Sequence, residues 1–370
     1  MMSRLKRLDA TVPAPYQGEH FASTPAAAVA QLAPWSLPAP ARLPALGFAG
    51  DLQRRRVLVA RTGRGNADGV GLAASLLEAS GAVRCIEVEG SVLASGDPRA
   101  LARLITEGDA LLVDSLGGEP TRSGEAGRRA ALPRPLQVSV RLVSAFGSAV
   151  TRLRPLRPDL PIVAPIDATA DAWQRAAEFA FALAGAERRD EVWCASREPG
   201  WPLLAADRAR RLRRAALSQG GGIARRVSLA DARRRLLFPD GPGLDVLLAD
   251  AGELDGLVRA AAAGVGWSNA VPSLHLGAGV ALAEVATSPG ARRMAANGQL
   301  AFAAARLAAR LLHGLGQHRA ARRLDAAVAA ELVALSRGPL DPWIELASEP
   351  AIRLTSALLE RLAAPVELAS

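Results

Sequence analysis

One stretch of the chain, residues 244–277, constrains the fold more than any other. It opens with an apolar run, Leu244 to Ala249, whose length and hydrophobicity predict a buried strand. A short acidic loop, a small-residue helix over 255–263 and a loop carrying Pro272 and Ser273 follow. In an α/β protein the ligand crevice lies beyond the carboxyl ends of the strands. The carboxylates after this strand are therefore the first candidates for chemistry: Asp250, Glu253 and Asp255.

The same stretch resembles the isocitrate/isopropylmalate dehydrogenase family, the metal-dependent β-decarboxylating dehydrogenases. The family pattern runs roughly F-D-V-I-V-T-x-N-x-x-G-D-I-L-S-D-x-A-A, then a glycine-rich loop and a-P-S-a-N-x-G. Laid on without gaps, it places the first of the family's two metal-binding aspartates on Asp255, with Pro272, Ser273 and Gly277 in register. The second family aspartate, one helical turn later, falls on Arg259. A site made of carboxylates at i and i+4 needs both on one helix face, so the resemblance implies a metal site that has lost one ligand.

The resemblance covers about residues 56–330 and implies an α/β protein with a two-domain, isopropylmalate dehydrogenase-like fold, in which helices flank a mixed sheet. It divides residues 51–335 into a discontinuous large domain, about 51–130 and 245–335, and a smaller dimerisation domain, about 131–244. Residues 1–50 are predicted to be an irregular Pro/Ala-rich extension, because prolines at this density exclude a regular helix or a central strand. Residues 336–370 are predicted to be a helical tail.

Two more positions match the family. Its segment A-N-L-R-P maps onto residues 138–142, which makes Arg141 a retained arginine of the substrate clamp. A dicarboxylate is best bound by bidentate arginines, but the other two clamp positions hold alanine, unless a shift of the loop brings Arg128 or Arg129 to one of them. Arg141 is therefore equally interpreted as a surface arginine at a strand end. Fourteen residues separate Asp231 from Asp245, which is the family spacing. Asp231 therefore stands where the family reaches a metal held by the partner subunit, and Asp231 and Asp255 are the two retained metal carboxylates.

The proton-transfer residues of the family have no counterpart in the body of the chain. The family lysine falls on Arg197, and an arginine stays protonated at any working pH and cannot shuttle a proton. The only lysine is Lys6 and the only tyrosine is Tyr16, both in the extension. No catalytic residue is therefore assigned.

The dinucleotide loop is also altered. Residues 281–285 resemble the family's A-x-F-E-P-V, and Glu284 and Asn297 keep family positions near the cofactor. The intervening loop is about three residues shorter than the family pattern, by this alignment, and lacks the aspartate that favours NAD. The resemblance thus implies NAD or NADP with Mg²⁺ or Mn²⁺, bound by an incomplete set of residues.

The chain has a formal charge of +9, from 45 basic and 36 acidic residues, and nearly every basic residue is arginine. Two interpretations of this arginine excess are open. One is codon bias in a GC-rich genome, and the other is a polyanion-binding surface built from the runs 208–214 and 233–235. Aromatic residues make up 4% of the chain, too few for stacking platforms, so nucleic acid is not the expected partner. Cys85 and Cys194 lie in apolar runs and are predicted to be core residues.

The expected location is the cytoplasm. No uninterrupted apolar run reaches the ~18 residues of a membrane span. The amino terminus lacks the apolar region of a secretory signal, and two cysteines are too few for a disulfide framework.

Three functions are consistent with the sequence. The first is a divergent, catalytically impaired protein that binds a ligand such as a small dicarboxylate, or serves as a non-catalytic subunit in a homodimer or in a heteromer with a related catalytic subunit. The second is an active NAD(P)-dependent, metal-assisted oxidoreductase on a 2-hydroxy acid such as isopropylmalate or isocitrate, with the metal cluster completed by Asp250 or Glu253. The third is a polyanion-binding protein that uses its arginine-rich surface. A fold alone does not decide among them.

Overall fold

The strands and helices form in the order that the hydrophobic patterns predict. In the computed structural model, residues 55–61, 67–94, 98–114, 136–144, 159–187, 189, 191–196, 202–237, 244–264, 271–277, 279–285, 298–335 and 350–364 are described. The strands are β1 (Arg55–Ala60), β2 (Val83–Val88), β3 (Ala110–Val113), β4 (Leu136–Ser144), β5 (Asp159–Pro165), β6 (Glu191–Ser196), β7 (Ile223–Ser228), β8 (Val246–Leu248), β9 (Ser273–Gly277) and β10 (Val280–Glu284).

The helices alternate with the strands through most of the chain and close it at the carboxyl end. They are α1 (Ala67–Ala79), α2 (Ser91–Ala94), α3 (Pro98–Glu107), α4 (Ala170–Ala186), α5 (Pro202–Ser218), α6 (Leu229–Leu237), α7 (Leu254–Gly264), α8 (Gly298–Gly314), α9 (His318–Leu335) and α10 (Ala351–Ala363). The predicted α/β class is confirmed.

The described strands form one mixed sheet in the order β2-β1-β3-β10-β9-β4-β5-β8-β6-β7. The four strands β2, β1, β3 and β10 are parallel, and so are β5, β8, β6 and β7. Between these two blocks, β10, β9, β4 and β5 pair antiparallel, so the blocks run in opposite directions. The central strands are buried on both faces, as expected for a sheet covered by helices on both sides.

The helices form two layers. On one face, α3 packs against β3 and β10, and α7 packs against β4, β5 and α6. On the other face, α1 and α8 cover the first block, and α4 and α5 cover the second. Every residue of α8 from Gly298 to Gly314 is buried, because α1, α9 and α10 pack around it as well. This central helix explains why the alanine-rich sequence 298–314 has almost no polar face.

Within residues 244–277 the element boundaries agree with the sequence prediction, with one correction. Ser273 was expected in a loop, but it is the first residue of β9, because it pairs with Glu284 on one side and Arg141 on the other. The strand expected over Leu244 to Ala249 is paired only over its three central residues, although both ends are buried.

The turn between α8 and α9 is a Schellman motif. Gly316 has a φ of +77°, its N–H donates to the carbonyl of His313, and the N–H of Gln317 donates to the carbonyl of Leu312. Glycine is favoured at this position because a Cβ would strain the left-handed backbone. The turn folds α9 back onto α8. None of the described helices combines the length and the apolar character that crossing a membrane requires.

Candidate functional site

Two predicted site residues lie in one row across the middle of the sheet. Glu284 on β10 is opposite Ser273 on β9, and Ser273 is opposite Arg141 on β4. Directly opposed residues point to the same face of a sheet. His275 lies two residues further along β9 and therefore shares that face. Arg141 and Glu284, predicted as a substrate-binding and a cofactor-binding residue, are thus neighbours in one polar group.

These four residues, Arg141, Ser273, His275 and Glu284, form the central cluster. The Ser273 hydroxyl donates to Oε2 of Glu284 over 2.8 Å, and Nε2 of His275 lies 3.5 Å from the same oxygen. A guanidinium nitrogen of Arg141 is 4.0 Å from it, and the two side chains are only 8% and 5% exposed. A buried carboxylate requires partners of this kind, because an isolated charge in the interior is strongly disfavoured. Glu284 is therefore compensated from within the sheet.

Ser139 extends the central cluster on β4. It is directly opposite His275 and is buried, and its hydroxyl makes no hydrogen bond within the described structure. Buried hydroxyls are usually hydrogen-bonded. A polar ligand group that reached this face of the sheet would find an acceptor and donor there.

The helix α7 lies over the same face as Arg141. The row that contains Arg141 continues across the sheet to β6. Arg141 is opposite Ile162 on β5, Ile162 is opposite Leu247 on β8, and Leu247 is opposite Trp193 on β6. The guanidinium of Arg235, on α6, lies 5.0 Å from the Trp193 ring centroid, which places α6 on this face together with its neighbour α7. Asp255 and Arg259 are therefore carried by a helix that covers the sheet beside Arg141.

Asp231 is engaged at the start of α6. Its backbone N–H donates to the Ser228 hydroxyl over 3.0 Å, and that hydroxyl donates to the Asp231 carboxylate over 2.9 Å. This arrangement caps the helix, since an aspartate in the first turn also interacts favourably with the helix dipole. Arg234 lies 3.9 Å away, and Asp231 is exposed. As a candidate metal ligand, Asp231 remains a prediction; in this chain it serves its own helix.

The acidic loop before α7 is paired with arginines. Asp250 contacts Arg208 over 2.7 Å, and the buried Glu253 accepts a hydrogen bond of 3.2 Å from Arg233. The Arg233 guanidinium lies close to the first turn of α7, 2.8 Å from where a Cβ on Gly256 would be. Both carboxylates proposed as completing ligands are therefore neutralised by neighbouring side chains.

Asp255 and Arg259 lie one turn apart on α7. Asp255, in the first turn, is half-buried, and Arg259 is exposed. Residues at i and i+4 are neighbours on a helix surface, so a guanidinium stands at the position where a second carboxylate would be required. Asp255 as a metal ligand stays a prediction.

The metal implied by the resemblance does not fit the described carboxylates of a single chain. Among the described residues, no group of three or more His, Cys, Asp or Glu side chains could hold a metal ion. Octahedral Mg²⁺ requires oxygen ligands without a competing cation, whereas Asp250 and Glu253 each have an arginine within 3.2 Å. For the dinucleotide, Oε2 of Glu284 is already surrounded by the Ser273 hydroxyl and the two basic side chains of the central cluster. Arg197, at the family lysine position, and Asn297, at the cofactor loop, lie outside the described residues.

A second buried polar group, which the sequence analysis did not predict, joins the carboxyl-terminal helices to α4. Asp325 of α9 contacts Arg306 over 2.6 Å and Arg310 over 3.3 Å, both on α8. Arg310 also reaches Glu187, at the end of α4, over 2.7 Å. Burial raises the pKa of Asp325, but the two guanidiniums and His313 more than offset this and hold the pKa well below its ordinary value. Two arginines four residues apart, Arg306 and Arg310, within an alanine-rich helix were the signal for this group.

The two cysteines are core residues, as predicted. Both are free; Cys194 is buried and Cys85 is half-buried. Burial raises the pKa of both thiols to about 12, aided by Asp250 near Cys194 and by Glu78 near Cys85. Neither is therefore a reactive thiolate at neutral pH.

Comparison with known proteins identifies the fold. No family model and no curated protein matches the chain. Among solved structures, it is similar to a protein from Thermus thermophilus, with a TM-score of 0.61 and 19% identity, covering 85% of this chain and 69% of that one. It is also similar to isocitrate dehydrogenase from Methylococcus capsulatus, with a TM-score of 0.60 and 18% identity, covering 83% and 99% of the two chains.

A third similar structure is the apo form of a beta-decarboxylating dehydrogenase from Thermococcus kodakarensis. The TM-score is 0.59 and the identity 21%, and the match covers 83% of this chain and 96% of that one. At such identities the likeness shows the fold. The chain thus has the isocitrate/isopropylmalate dehydrogenase-like fold that the sequence predicted.

Proposed function

We propose that this chain is a divergent isocitrate/isopropylmalate dehydrogenase-like protein that is catalytically impaired and acts as a ligand-binding or non-catalytic partner subunit. One observation carries the proposal. The carboxylates that precede α7 form ion pairs with arginines, Asp250 with Arg208 and Glu253 with Arg233. On α7 itself, the position one turn after Asp255 is occupied by an arginine, Arg259. A divalent cation is repelled by fixed guanidiniums at this distance.

The absence of a titratable lysine in the body of the chain supports the same proposal. Its only lysine is Lys6 and its only tyrosine is Tyr16, so neither residue type is available between residues 17 and 370. Proton transfer by an arginine at the family lysine position is ruled out by its pKa, which exceeds about 12. The ligand that suits the retained Arg141 is a small dicarboxylate, and the assembly that suits the fold is a homodimer or a heteromer with a related catalytic subunit.

An active NAD(P)-dependent oxidoreductase on a 2-hydroxy acid is the second candidate. It is favoured by the position of α7, which places Asp255 on a helix over the sheet face that carries Arg141. A substrate between them would meet an arginine and a carboxylate, the two groups that a metal-bound 2-hydroxy acid requires.

Calorimetric titration of the full chain separates the two candidates. The titrants are Mg²⁺ or Mn²⁺, then NAD⁺ and NADP⁺, each with and without isopropylmalate or isocitrate. We expect that the metals produce no binding heat and that neither acid is turned over. We also expect that a dicarboxylate alone raises the melting temperature of the protein, measured separately by thermal denaturation. Metal-dependent dinucleotide binding with turnover of either acid would overturn the impaired function in favour of the oxidoreductase.

A matched pair of variants tests the arginine that carries the proposal. Arg259→Asp restores a carboxylate one turn after Asp255, and Arg319→Asp makes the same charge change at an exposed position on α9. We expect Mg²⁺ heat to appear in Arg259→Asp and not in Arg319→Asp. Equal metal heats in both variants would show that Arg259 is not the obstacle.

A further inference from the structure

Nearly all of the net charge of the chain is concentrated in one segment. Residues 202–237 contain ten arginines and two aspartates, a net charge of +8, while the whole chain carries +9. The remainder of the chain is therefore almost neutral. Codon bias would distribute arginines along the whole sequence without separating them from acids, so it does not explain this separation.

The fold places this segment at an edge of the sheet. It comprises α5, β7 and α6, and β7 is the last strand in the sheet order. Within the described part of the chain, no strand pairs with the outer side of β7. The three elements together are called the basic edge. The backbone N–H and C=O groups on the outer side of β7 can pair with another strand.

The arginines of β7 alternate between the two faces of the sheet. Arg225 is opposite Trp193, on the face where Arg235 of α6 also approaches that ring. Arg226 is opposite Cys194, on the other face, where α4 and α5 pack and Arg208 of α5 lies 5.7 Å from the Trp173 ring centroid of α4. A basic helix therefore flanks the edge strand on each side.

Neighbouring carboxylates neutralise only part of this charge. Five of them lie within salt-bridge distance of arginines of the basic edge: Glu191, Asp207, Asp231, Asp250 and Glu253. Arg214 is exposed, and the buried Nε and NH1 atoms of Arg235 make no hydrogen bond in the described structure. The edge thus keeps a positive excess with arginines on both faces.

We propose that the basic edge docks an extended acidic segment of a partner protein, which adds to β7 as a further strand. The inference rests on the proposed role as a partner subunit and names the chemistry of that partner. Side chains of an added strand point alternately to the two faces, so carboxylates on it would meet Arg225 and α6 on one face and Arg226 and α5 on the other. Arginine is the cation best suited to carboxylates, because its planar fork binds both oxygens.

Nucleic acid matches the basic edge less well. Residues 202–237 contain no aromatic residue, so single-stranded bases would have no ring to stack on. A duplex presents its phosphates to one continuous surface, whereas these arginines lie on opposite faces of the sheet.

The test measures binding of a fluorescent oligo-glutamate peptide of about ten residues, long enough to span one strand, to the full-length protein at low and physiological salt. We expect saturable binding that weakens as salt rises. The variant Arg214→Glu/Arg234→Glu, with one reversal on each flanking helix, is expected to weaken binding about tenfold or more. The control Arg84→Glu/Arg319→Glu reverses two exposed arginines elsewhere and is expected to bind like the parent protein.

A second peptide separates strand addition from simple charge attraction. Methylation of alternate backbone nitrogens keeps every carboxylate but removes the donors along one edge, and we expect it to weaken binding strongly. No binding of either peptide, equal binding of both, or tighter binding of a DNA duplex would each overturn the proposal. The assay contains no metal, dinucleotide or 2-hydroxy acid, so its failure is distinguishable from failure of the proposed function, which calorimetry reports.

Discussion

Glu284 is the residue on which the central cluster depends. Its side chain is 5% exposed. One of its oxygens accepts a hydrogen bond from the Ser273 hydroxyl and lies near both His275 and Arg141. Removing this carboxylate would leave the Arg141 guanidinium buried beside a neutral group. The cost of breaking a buried ion pair comes mainly from the charge left behind.

We therefore expect Glu284→Gln to lower the free energy of unfolding by about 3 kcal/mol, measured by urea denaturation. Glu87→Gln is the control, because Glu87 also pairs with an arginine, Arg61, but both side chains are more than half exposed. It is expected to leave the midpoint unchanged. Equal effects of the two variants would mean that the central cluster does not hold Glu284 as a compensated charge.

The sequence predicted Arg141 and Glu284 individually but not their contact. Pattern matching assigned one to a substrate and the other to a cofactor, because each residue was compared with a separate motif. Their contact arises from the register of β4 against β9 and of β9 against β10, which no local pattern encodes. His275 was missed for a related reason: residues 272–273 were interpreted as a loop, so the alternation of Ser273 and His275 in a strand was not used.

Helices α8 and α9 show how strongly one element can depend on buried charge. Below the Schellman turn, Nδ1 of His313 lies 3.4 Å from Nδ1 of His318. Burial lowers the pKa of His318, and His313 and Arg322 lower it further. Protonation of His318 is therefore unfavourable in the folded state. The buried ionic contacts that join the two helices depend on tertiary packing, which no local sequence pattern encodes.

This pKa shift has a definite sign in stability. The folded-state pKa of His318 lies below the unfolded value of 6.5, so its contribution is present above that pH and is lost as the pH falls. We expect the unfolding free energy of the parent to decline between about pH 7.5 and pH 5. His318→Gln is expected to flatten this decline in urea titrations at a series of pH values. Parallel pH curves for the two proteins would contradict the assignment to His318.

Asp325 acts in a separate, more acidic range. Its folded pKa is also depressed, so the stability it provides is present above its unfolded pKa of about 3.9 and is lost only as the pH falls further. The two contributions therefore do not overlap in the window chosen for His318.

For the molecule as a whole, the carboxyl-terminal helix is part of the folded body. It was predicted as a tail, and α10 packs against α1, α8 and α9. Its buried side chains include Leu354, Leu358 and Leu362 at helical spacing, while Ile352 is 70% exposed. The sequence predicted a helical segment here, but only packing shows which face of the helix is covered.

We expect Leu358→Ala to lower the free energy of unfolding by about 3 kcal/mol, because it leaves a cavity among the four helices. Ile352→Ala, on the exposed side of the same helix, is expected to change it little. Thermal and urea denaturation monitored by circular dichroism would measure both. Similar midpoints for the two variants would mean that α10 is not held against the body.

The sheet order also governs when the protein can fold during its synthesis. Strand β4 pairs with β9, which is translated more than a hundred residues later, and the separation between β3 and its partner β10 is longer still. Until residue 284 has left the ribosome, both strands present open edges in the middle of the future sheet. Such edges are sites of misassociation, so we expect the chain to be most prone to aggregation before β9 and β10 are available.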